Sequence, residues 1–171
     1  MLSSYRKLAL ERESLGIPAL PLTAEQTHAL TILLEKPPKE EEKFLVHLLS
    51  ERVPPGVDEA AYIKASWLSS IAQSTSNSPL ISPLEATRLL GTMIGGYNVG
   101  ALIELLNNNQ EELANSAAQG LSKTLLVYDA LNEILELSIN NSFAKQVINS
   151  WASAEWFTNK PPLSNEITVS I

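Results

Sequence analysis

The sequence predicts an all-α protein arranged as an α-solenoid, in which antiparallel helix pairs stack side by side. Apolar residues recur at helical spacing in short segments along most of the chain. Proline, glycine and asparagine turn signals separate these segments, so successive helices run antiparallel. With 171 residues, 44% of them hydrophobic and 18% charged, the chain has enough apolar material for one buried core. Because no internal repeat of fixed period is visible, a plain helical bundle is the structural alternative.

The first three predicted helices have recognisable boundary signals. Gly16 is placed as the stop of the first helix, and the prolines of residues 17–22 predict an extended connector. Thr23 and Gln26 have the spacing of a capping box at the start of the second helix. The acidic run 39–43 is predicted to form the first turn of the third helix, where carboxylates favour the positive end of the helix dipole.

Residues 52–85 also contain recognisable turn and helix-capping signals. Residues 52–57 predict a stiff turn, and Asp58 is a predicted N-cap for the fourth helix. Small and apolar residues lie along one face of that helix and allow a neighbouring helix to come close; they are Ala61, Ala65, Leu68 and Ala72. Residues 73–78 are a polar loop and the best candidate for a mobile tip. Ser82 and Glu85 cap the fifth helix.

Four of the seven glycines lie within residues 91–100, between two helical patterns. A dinucleotide-binding loop requires its glycines directly after a β-strand, but here a helical pattern precedes them. No Gly-Lys-Ser/Thr sequence follows, which argues against a Walker loop. The segment is therefore predicted to be a sharp corner between two helices that presents Tyr97 and Asn98 to a partner.

Four further helices are predicted after this corner. A short sixth helix covers residues 99–106, and Asn109 with Glu112 is predicted to cap a short seventh. The long apolar pattern of residues 121–137 predicts a central eighth helix, and residues 143–151 predict a ninth.

The last residues depart from the helical pattern. Residues 166–171 alternate apolar and polar side chains, as a β-strand does, and a lone strand has nothing to pair with in a helical domain. We therefore predict a helical domain over residues 1–160, with residues 161–171 as a linker and first strand of a following domain.

Composition and residue chemistry favour an interaction domain over an enzyme. The formal net charge of −7 argues against a broad electrostatic grip on nucleic acid, although Arg6, Lys7 and Arg12 on the first helix offer a small basic patch. With no cysteine, the chain has no thiolate nucleophile and no cysteine-ligated metal or cluster. His28 and His47 lie on different predicted helices, so no catalytic or metal-binding residues are predicted. No apolar run reaches membrane-spanning length, and we expect a cytoplasmic protein.

The aromatic residues near the C-terminus have two interpretations. Trp151, Trp156 and Phe157 would suit an aromatic binding platform, but their place beside a helix end favours a hydrophobic plug that joins the last helix to the core or to the following domain.

Three blocks of sequence resemble the N-terminal region of the bacterial aconitase B family. They are Arg52-Val-Pro-Pro-Gly-Val-Asp-Glu-Ala-Ala-Tyr-Ile-Lys-Ala65, Leu90-Gly-Thr-Met-Ile-Gly-Gly-Tyr-Asn-Val99 and Ser150-Trp-Ala-Ser-Ala-Glu-Trp-Phe157. The resemblance implies a HEAT-like helical domain, followed by a swivelling domain and then by domains that carry an iron–sulfur cluster. It departs at Gly100 and Ala101, where members of the family have a His-Pro pair.

The resemblance also implies a parent aconitate hydratase, a lyase that interconverts citrate and isocitrate through cis-aconitate in the tricarboxylic acid cycle. The cluster ligands lie beyond this region in the family, so none is carried over and this chain alone is expected to be inactive. Its expected roles are contact with the other domains of the parent and shaping of the tunnel to the active site. The alternatives are an RNA-binding or homodimerising regulatory module and a stand-alone helical scaffold.

Two turns are the predicted interface, because stiff prolines and permissive glycines make preorganised edges. The predicted contact residues are Arg52, Pro54, Pro55, Gly56, Gly95, Gly96, Tyr97 and Asn98. The alternative is that these turns merely connect helices.

Overall fold

The computed structural model describes residues 1–124 and 130–154, and over these residues the protein is all-α, as predicted. The helices are α1 (Leu2–Ser14), α2 (Ala24–Glu35), α3 (Glu42–His47), a π-helix (Leu48–Arg52), α4 (Glu59–Ala72), α5 (Pro83–Leu90), α6 (Val99–Leu105), α7 (Glu111–Ser122), α8 (Leu131–Leu137) and α9 (Ser142–Ala152). The most extensive contacts join α4 to α2 and α5, and α7 to α5, α6 and α9. Helices thus pack chiefly on near neighbours in the chain, which is the pattern expected of stacked helix pairs.

Helix α4 occupies the centre of the N-terminal half. The predicted small-residue face of α4 is buried, and its members are Ala61, Ala65, Leu68 and Ala72. Short side chains on this face let α2 and α5 pack closely against α4. A second close crossing joins α5 to α7, because a β-carbon added at Gly91 would lie 3.0 Å from the α-carbon of Gly120.

The predicted helix starts of α2, α4 and α5 are confirmed. Thr23 and Gln26 make both hydrogen bonds of a capping box, with heavy-atom distances of 3.3 and 3.0 Å. Asp58 Oδ1 accepts a hydrogen bond from the amide of Ala61 at 3.1 Å. Ser82 Oγ accepts one from the amide of Glu85 at 3.2 Å. Each cap satisfies an amide that the first helical turn leaves without a partner.

The predicted start of the third helix was only partly right, because Glu41 is its N-cap and Glu42 lies in its first turn, whereas residues 39–40 precede the helix. Helix α3 begins at Glu42, and Glu40 adopts a positive φ of 67° in the turn before it. Glu41 instead forms a bidentate ion pair with Arg6 of α1, at 2.7 Å for the first hydrogen bond. The guanidinium of Arg6 also lies 4.2 Å from the ring centroid of Phe44. Glu42 keeps an acidic residue in the first turn of α3, while Glu41 at the N-cap links this helix to α1.

The prediction of a long eighth helix over residues 121–137 was also wrong. Leu121 belongs to the last turn of α7, which ends at Ser122, and α8 covers only Leu131–Leu137. At the end of α7, two hydroxyl groups donate hydrogen bonds to carbonyls four residues earlier in the chain. Ser122 Oγ donates to the Ala118 carbonyl, and Thr124 Oγ1 donates to the Gly120 carbonyl. Such bonds compete with continuation of the helix. The part of the predicted helix at residues 125–129 lies outside the described residues.

Other predictions after the glycine corner had mixed outcomes. The N-cap of α7 is Gln110 and not Asn109, and α7 has 12 residues where a short helix was predicted. The predicted ninth helix is confirmed as α9, and its N-cap, which was not predicted, is Asn141. Trp151 lies at the end of α9 and donates a hydrogen bond to the Leu121 carbonyl at 3.2 Å, which joins this helix to α7. Trp156, Phe157, the predicted strand at 166–171 and the predicted boundary at 160 lie outside the described residues.

A partly buried hydrogen-bond network attaches α1 to the rest of the domain. The Tyr5 hydroxyl donates to the Leu20 carbonyl at 3.0 Å and accepts a hydrogen bond from Arg52 Nε at 3.0 Å. The other arm of the Arg52 guanidinium donates to the Ala19 carbonyl, and the Arg52 carbonyl accepts from the Leu22 amide at 2.8 Å. The connector between α1 and α2 is therefore fastened to the π-helix.

Replacing Tyr5 by phenylalanine is expected to lower the free energy of unfolding by about 1–2 kcal/mol, because Arg52 Nε loses its acceptor in a partly buried site. Urea denaturation of the variant and the wild type would measure the change. The matched control is Tyr62→Phe, since the hydroxyl of Tyr62 makes no hydrogen bond among the described residues. Equal unfolding midpoints for the wild type and Tyr5→Phe would contradict the role given to this network.

Candidate interaction surface

The two turns predicted as an interface lie against each other. The amide of Ile94 donates a hydrogen bond to the Pro55 carbonyl at 3.0 Å. The α-carbon of Gly95 is so close to Gly56 that an added β-carbon would overlap the Gly56 carbonyl. Two turns that are far apart in the sequence therefore form one continuous edge of the fold.

Two tyrosines extend this edge into an exposed surface. The Tyr97 hydroxyl donates to the Val57 carbonyl at 2.9 Å, and the rings of Tyr62 and Tyr97 meet edge to face with centroids 5.4 Å apart. Four exposed side chains share this place, which we call the corner surface: Val57 (73% exposed), Tyr62 (56%), Ile94 (65%) and Tyr97 (43%). The hydrogen bonds fix the backbone at Val57 and Ile94, and the ring contact orients the side chains of Tyr62 and Tyr97 before any partner arrives.

Asn98 shapes the corner from inside. Its side chain is fully buried, and Nδ2 donates to the carbonyls of Leu90 and Met93 at 2.8 and 3.2 Å. These bonds hold the backbone through the turn, in which Gly96 has a φ of +90° that a side chain would disfavour. Tyr97 is exposed, whereas Asn98 is buried and stabilises the turn from within, so only Tyr97 could face a partner.

The remaining predicted contact residues also differ in whether they are exposed or buried. Arg52 is half-buried, and its guanidinium is occupied by the bonds to Tyr5 and Ala19. Pro55 is exposed, and four backbone-dominated positions are half-buried, namely Pro54, Gly56, Gly95 and Gly96. Sequence reasoning missed Val57, Tyr62 and Ile94 as members of this surface. For Tyr62 the signal was available, because the residue lies off the predicted small-residue face of α4.

Comparison with known proteins places this fold in a family. The model of the family described as "Aconitate B N-terminal domain" matches residues 4–157. The chain belongs to this family. It is 54% identical over 171 residues to aconitate hydratase B of Synechocystis, 51% identical over 172 residues to that of Salmonella typhimurium, and 50% identical over 172 residues to that of Escherichia coli. In each comparison the whole chain is covered, and the chain spans 20% of the length of the relative.

The residues of this aconitase B N-terminal domain do not fit an iron–sulfur cluster. The sequence contains no cysteine, and within the described residues no three His, Cys, Asp or Glu side chains gather as a metal site would require. His28 and His47 are both exposed, on α2 and α3. No step of a reaction is therefore assigned to a cluster held by these residues.

The cleft between the loop after α4 and the loop before α7 is open and lacks converging ionisable groups. This cleft has a volume of about 470 Å³, and its one charged lining residue is Glu104. Glu104 accepts a hydrogen bond from Gln73 Nε2 at 2.5 Å. Amide side chains supply most of the polar lining, so this cleft has neither a nucleophile nor a general base in place. A separate open cleft beside α1 and α3 is lined by Arg6, Glu13, His47 and Arg52.

The cations of the predicted basic patch on α1 have partners inside the domain. Arg6 pairs with Glu41, and the hydrogen bond from Arg6 lowers the pKa of Glu41. Lys7 lies 4.0 Å from Glu11, and Arg12 Nε donates to the Pro18 carbonyl at 2.7 Å. These contacts reduce the positive charge that α1 offers to a nucleic acid.

Helix length and polarity decide whether a segment can cross a membrane. Among the helices of residues 1–124 and 130–154, none is both long enough and apolar enough to do so.

Proposed function

We propose that this chain is the interaction and tunnel-shaping domain of an aconitate hydratase that interconverts citrate and isocitrate through cis-aconitate. On this proposal the chain holds no catalytic residue, and the other domains of the parent supply the iron–sulfur cluster and the substrate contacts. The domain contributes a fixed wall and a docking edge. The match of residues 4–157 to an N-terminal domain family is the observation that carries the proposal.

The length of the relatives supports a role within a larger enzyme. The chain corresponds to 20% of each aconitate hydratase B that it matches, so four-fifths of those enzymes lie outside the matched region. Its described residues offer an exposed edge held by hydrogen bonds, and the cleft that contains Glu104 has no catalytic constellation. Both features suit a domain that acts by position and shape.

The first test is the activity of the chain alone. With citrate or isocitrate as substrate, we expect no increase in the ultraviolet absorbance of cis-aconitate above a buffer control, because the chain has no cysteine to ligate the iron–sulfur cluster of the parent enzyme. The full-length Synechocystis relative, assayed in parallel, is the positive control. Turnover by the chain alone would contradict the proposal.

The second test asks whether the domain affects access to the active site. The Synechocystis relative would be prepared without its matching residues, and with those residues replaced by this chain. We expect the exchanged enzyme to retain activity and the shortened enzyme to show an altered KM, an altered kcat or both. Circular dichroism would check that the shortened enzyme is folded. A folded shortened enzyme with unchanged KM and kcat would contradict the tunnel-shaping role.

A further inference from the structure

We propose that the corner surface docks onto a cationic segment of the same longer polypeptide, where a lysine or arginine stands beside an apolar side chain. This inference rests on the proposed function and deepens it by naming the surface and the chemistry of its partner. It assigns a binding role to Val57, Tyr62, Ile94 and Glu59.

The corner surface has the properties of the centre of an interface. Each of its four side chains is large, apolar or aromatic, and exposed by 43% or more. Tyrosine is enriched where binding energy concentrates, because it offers a large contact area at a small cost in side-chain entropy. Tyr97 is already held by its bond to the Val57 carbonyl and by the ring of Tyr62. A partner would therefore meet a surface that needs little ordering.

Charge defines the chemistry of the partner. Glu59 is exposed one helical turn before Tyr62, on the same face of α4, and its carboxylate makes no ion pair among the described residues. Asp58 stands beside Val57, with one carboxylate oxygen used for the helix cap and the other oriented toward no cation that the structure describes. The nearby cations are occupied or buried, since Arg52 bonds to Tyr5 and Lys64 is 2% exposed. A positively charged segment is thus the complementary partner.

The same two carboxylates argue against the other occupants of this surface. In a two-fold contact centred on the corner, Glu59 of one copy would approach the acidic edge of a second copy, which like charges disfavour. A nucleic acid would meet the same repulsion from its phosphates. By contrast, the relatives have four-fifths of their length beyond the matched residues, and a domain of a multidomain enzyme needs a contact of about 600–1,500 Å² to hold its position.

The test compares labelling of the corner in two settings. The isolated chain, and the chain exchanged into the full-length Synechocystis relative, would be labelled by hydroxyl radicals and analysed by mass spectrometry. At Tyr62 and Tyr97 we expect labelling to fall about five-fold or more in the full-length enzyme, because residues at the centre of an interface lose most of their contact with solvent. Ile139, which is 77% exposed and belongs to a distant part of the fold, is the internal control and should keep its labelling.

A pair of charge reversals tests the chemistry of the partner. Glu59 and Glu111 are both exposed and both occupy the first position of a helix, α4 and α7 respectively. We expect Glu59→Lys in the full-length enzyme to restore labelling of Tyr62 and Tyr97 toward the level of the isolated chain. Glu111→Lys should leave their protection unchanged.

The outcomes separate this inference from the proposed function. An active exchanged enzyme in which Tyr62 and Tyr97 label as in the isolated chain would overturn the docking site and leave the proposed function standing. Protection in an inactive exchanged enzyme would support the docking site and count against the function. Protection that appears in the isolated chain as its concentration rises would identify a second copy as the occupant and overturn the inference. Equal effects of the two charge reversals would overturn the cationic character of the partner.

Discussion

Replacing Gly95 by alanine is expected to lower the free energy of unfolding by about 3 kcal/mol or more, because the added methyl group would occupy the space of a backbone carbonyl. The new β-carbon would overlap the carbonyl of Gly56 and lie 3.0 Å from the amide nitrogen of Val57. Backbone atoms cannot rotate aside as a flexible side chain can. The two turns would have to separate, which would break the hydrogen bond from Ile94 to Pro55 and the bond from Tyr97 to Val57.

Gly100 supplies the matched control for this substitution. It lies in the first turn of α6 and is exposed, and a β-carbon added there would meet no heavy atom of another element within 4 Å. Gly100→Ala is therefore expected to stabilise the protein by about 0.5–1 kcal/mol, the usual difference between glycine and alanine inside a helix. Urea denaturation would measure the free energy of unfolding of both variants, and an m-value equal to that of the wild type would show that only stability had changed. A Gly95→Ala variant as stable as the wild type would show that the two turns do not need their close contact.

Local sequence signals predicted much of this fold. The caps at Thr23, Asp58 and Ser82 were predictable because each depends on residues within one helical turn of one another. The buried face of α4 was predictable from helical periodicity. Predictions failed where a distant contact or a local side-chain bond decided the outcome. Residues 39–40 lie in the turn before α3, and the N-cap Glu41 pairs with Arg6, 35 positions away in the sequence.

The same distinction between local signals and distant contacts applies to the candidate interaction surface. Glycine and proline content marked both turns as special, but no local pattern indicated that they touch, because that contact depends on how α4 and α5 pack. Gly120 was missed for the same reason, since its role at the α5–α7 crossing is visible only beside Gly91. The π-helix that ends at Arg52 was also missed, because its apolar spacing resembles that of an α-helix. Position within an element is thus easier to predict than contact between elements.

The burial of Lys64 is another result of tertiary packing that the helical periodicity of the sequence did not indicate. Its side chain is 2% exposed on α4 and makes no hydrogen bond or ion pair among the described residues. Burial lowers the pKa of Lys64 from its ordinary 10.5 to about 8, and the charge of Glu51 opposes this shift. Below pH 8 the lysine is protonated in both states, so the folded state carries a buried charge that destabilises it. Between about pH 8 and 10.5 the unfolded chain binds more protons than the folded chain, so stability rises with pH across this window.

Lys64→Met is therefore expected to raise the free energy of unfolding at pH 7 by about 2–3 kcal/mol, because methionine fills similar space without a charge to desolvate. The advantage of the variant over the wild type should shrink as the pH rises from 8 to 10.5. Lys43→Met, at an exposed position on α3, is the control and should change stability by less than about 0.5 kcal/mol. Denaturation curves at several pH values would measure all three proteins. If the wild-type and Lys64→Met curves stayed parallel across this window, the ammonium group would not be penalised by burial, and the charge of Glu51 would have to offset the cost of desolvation.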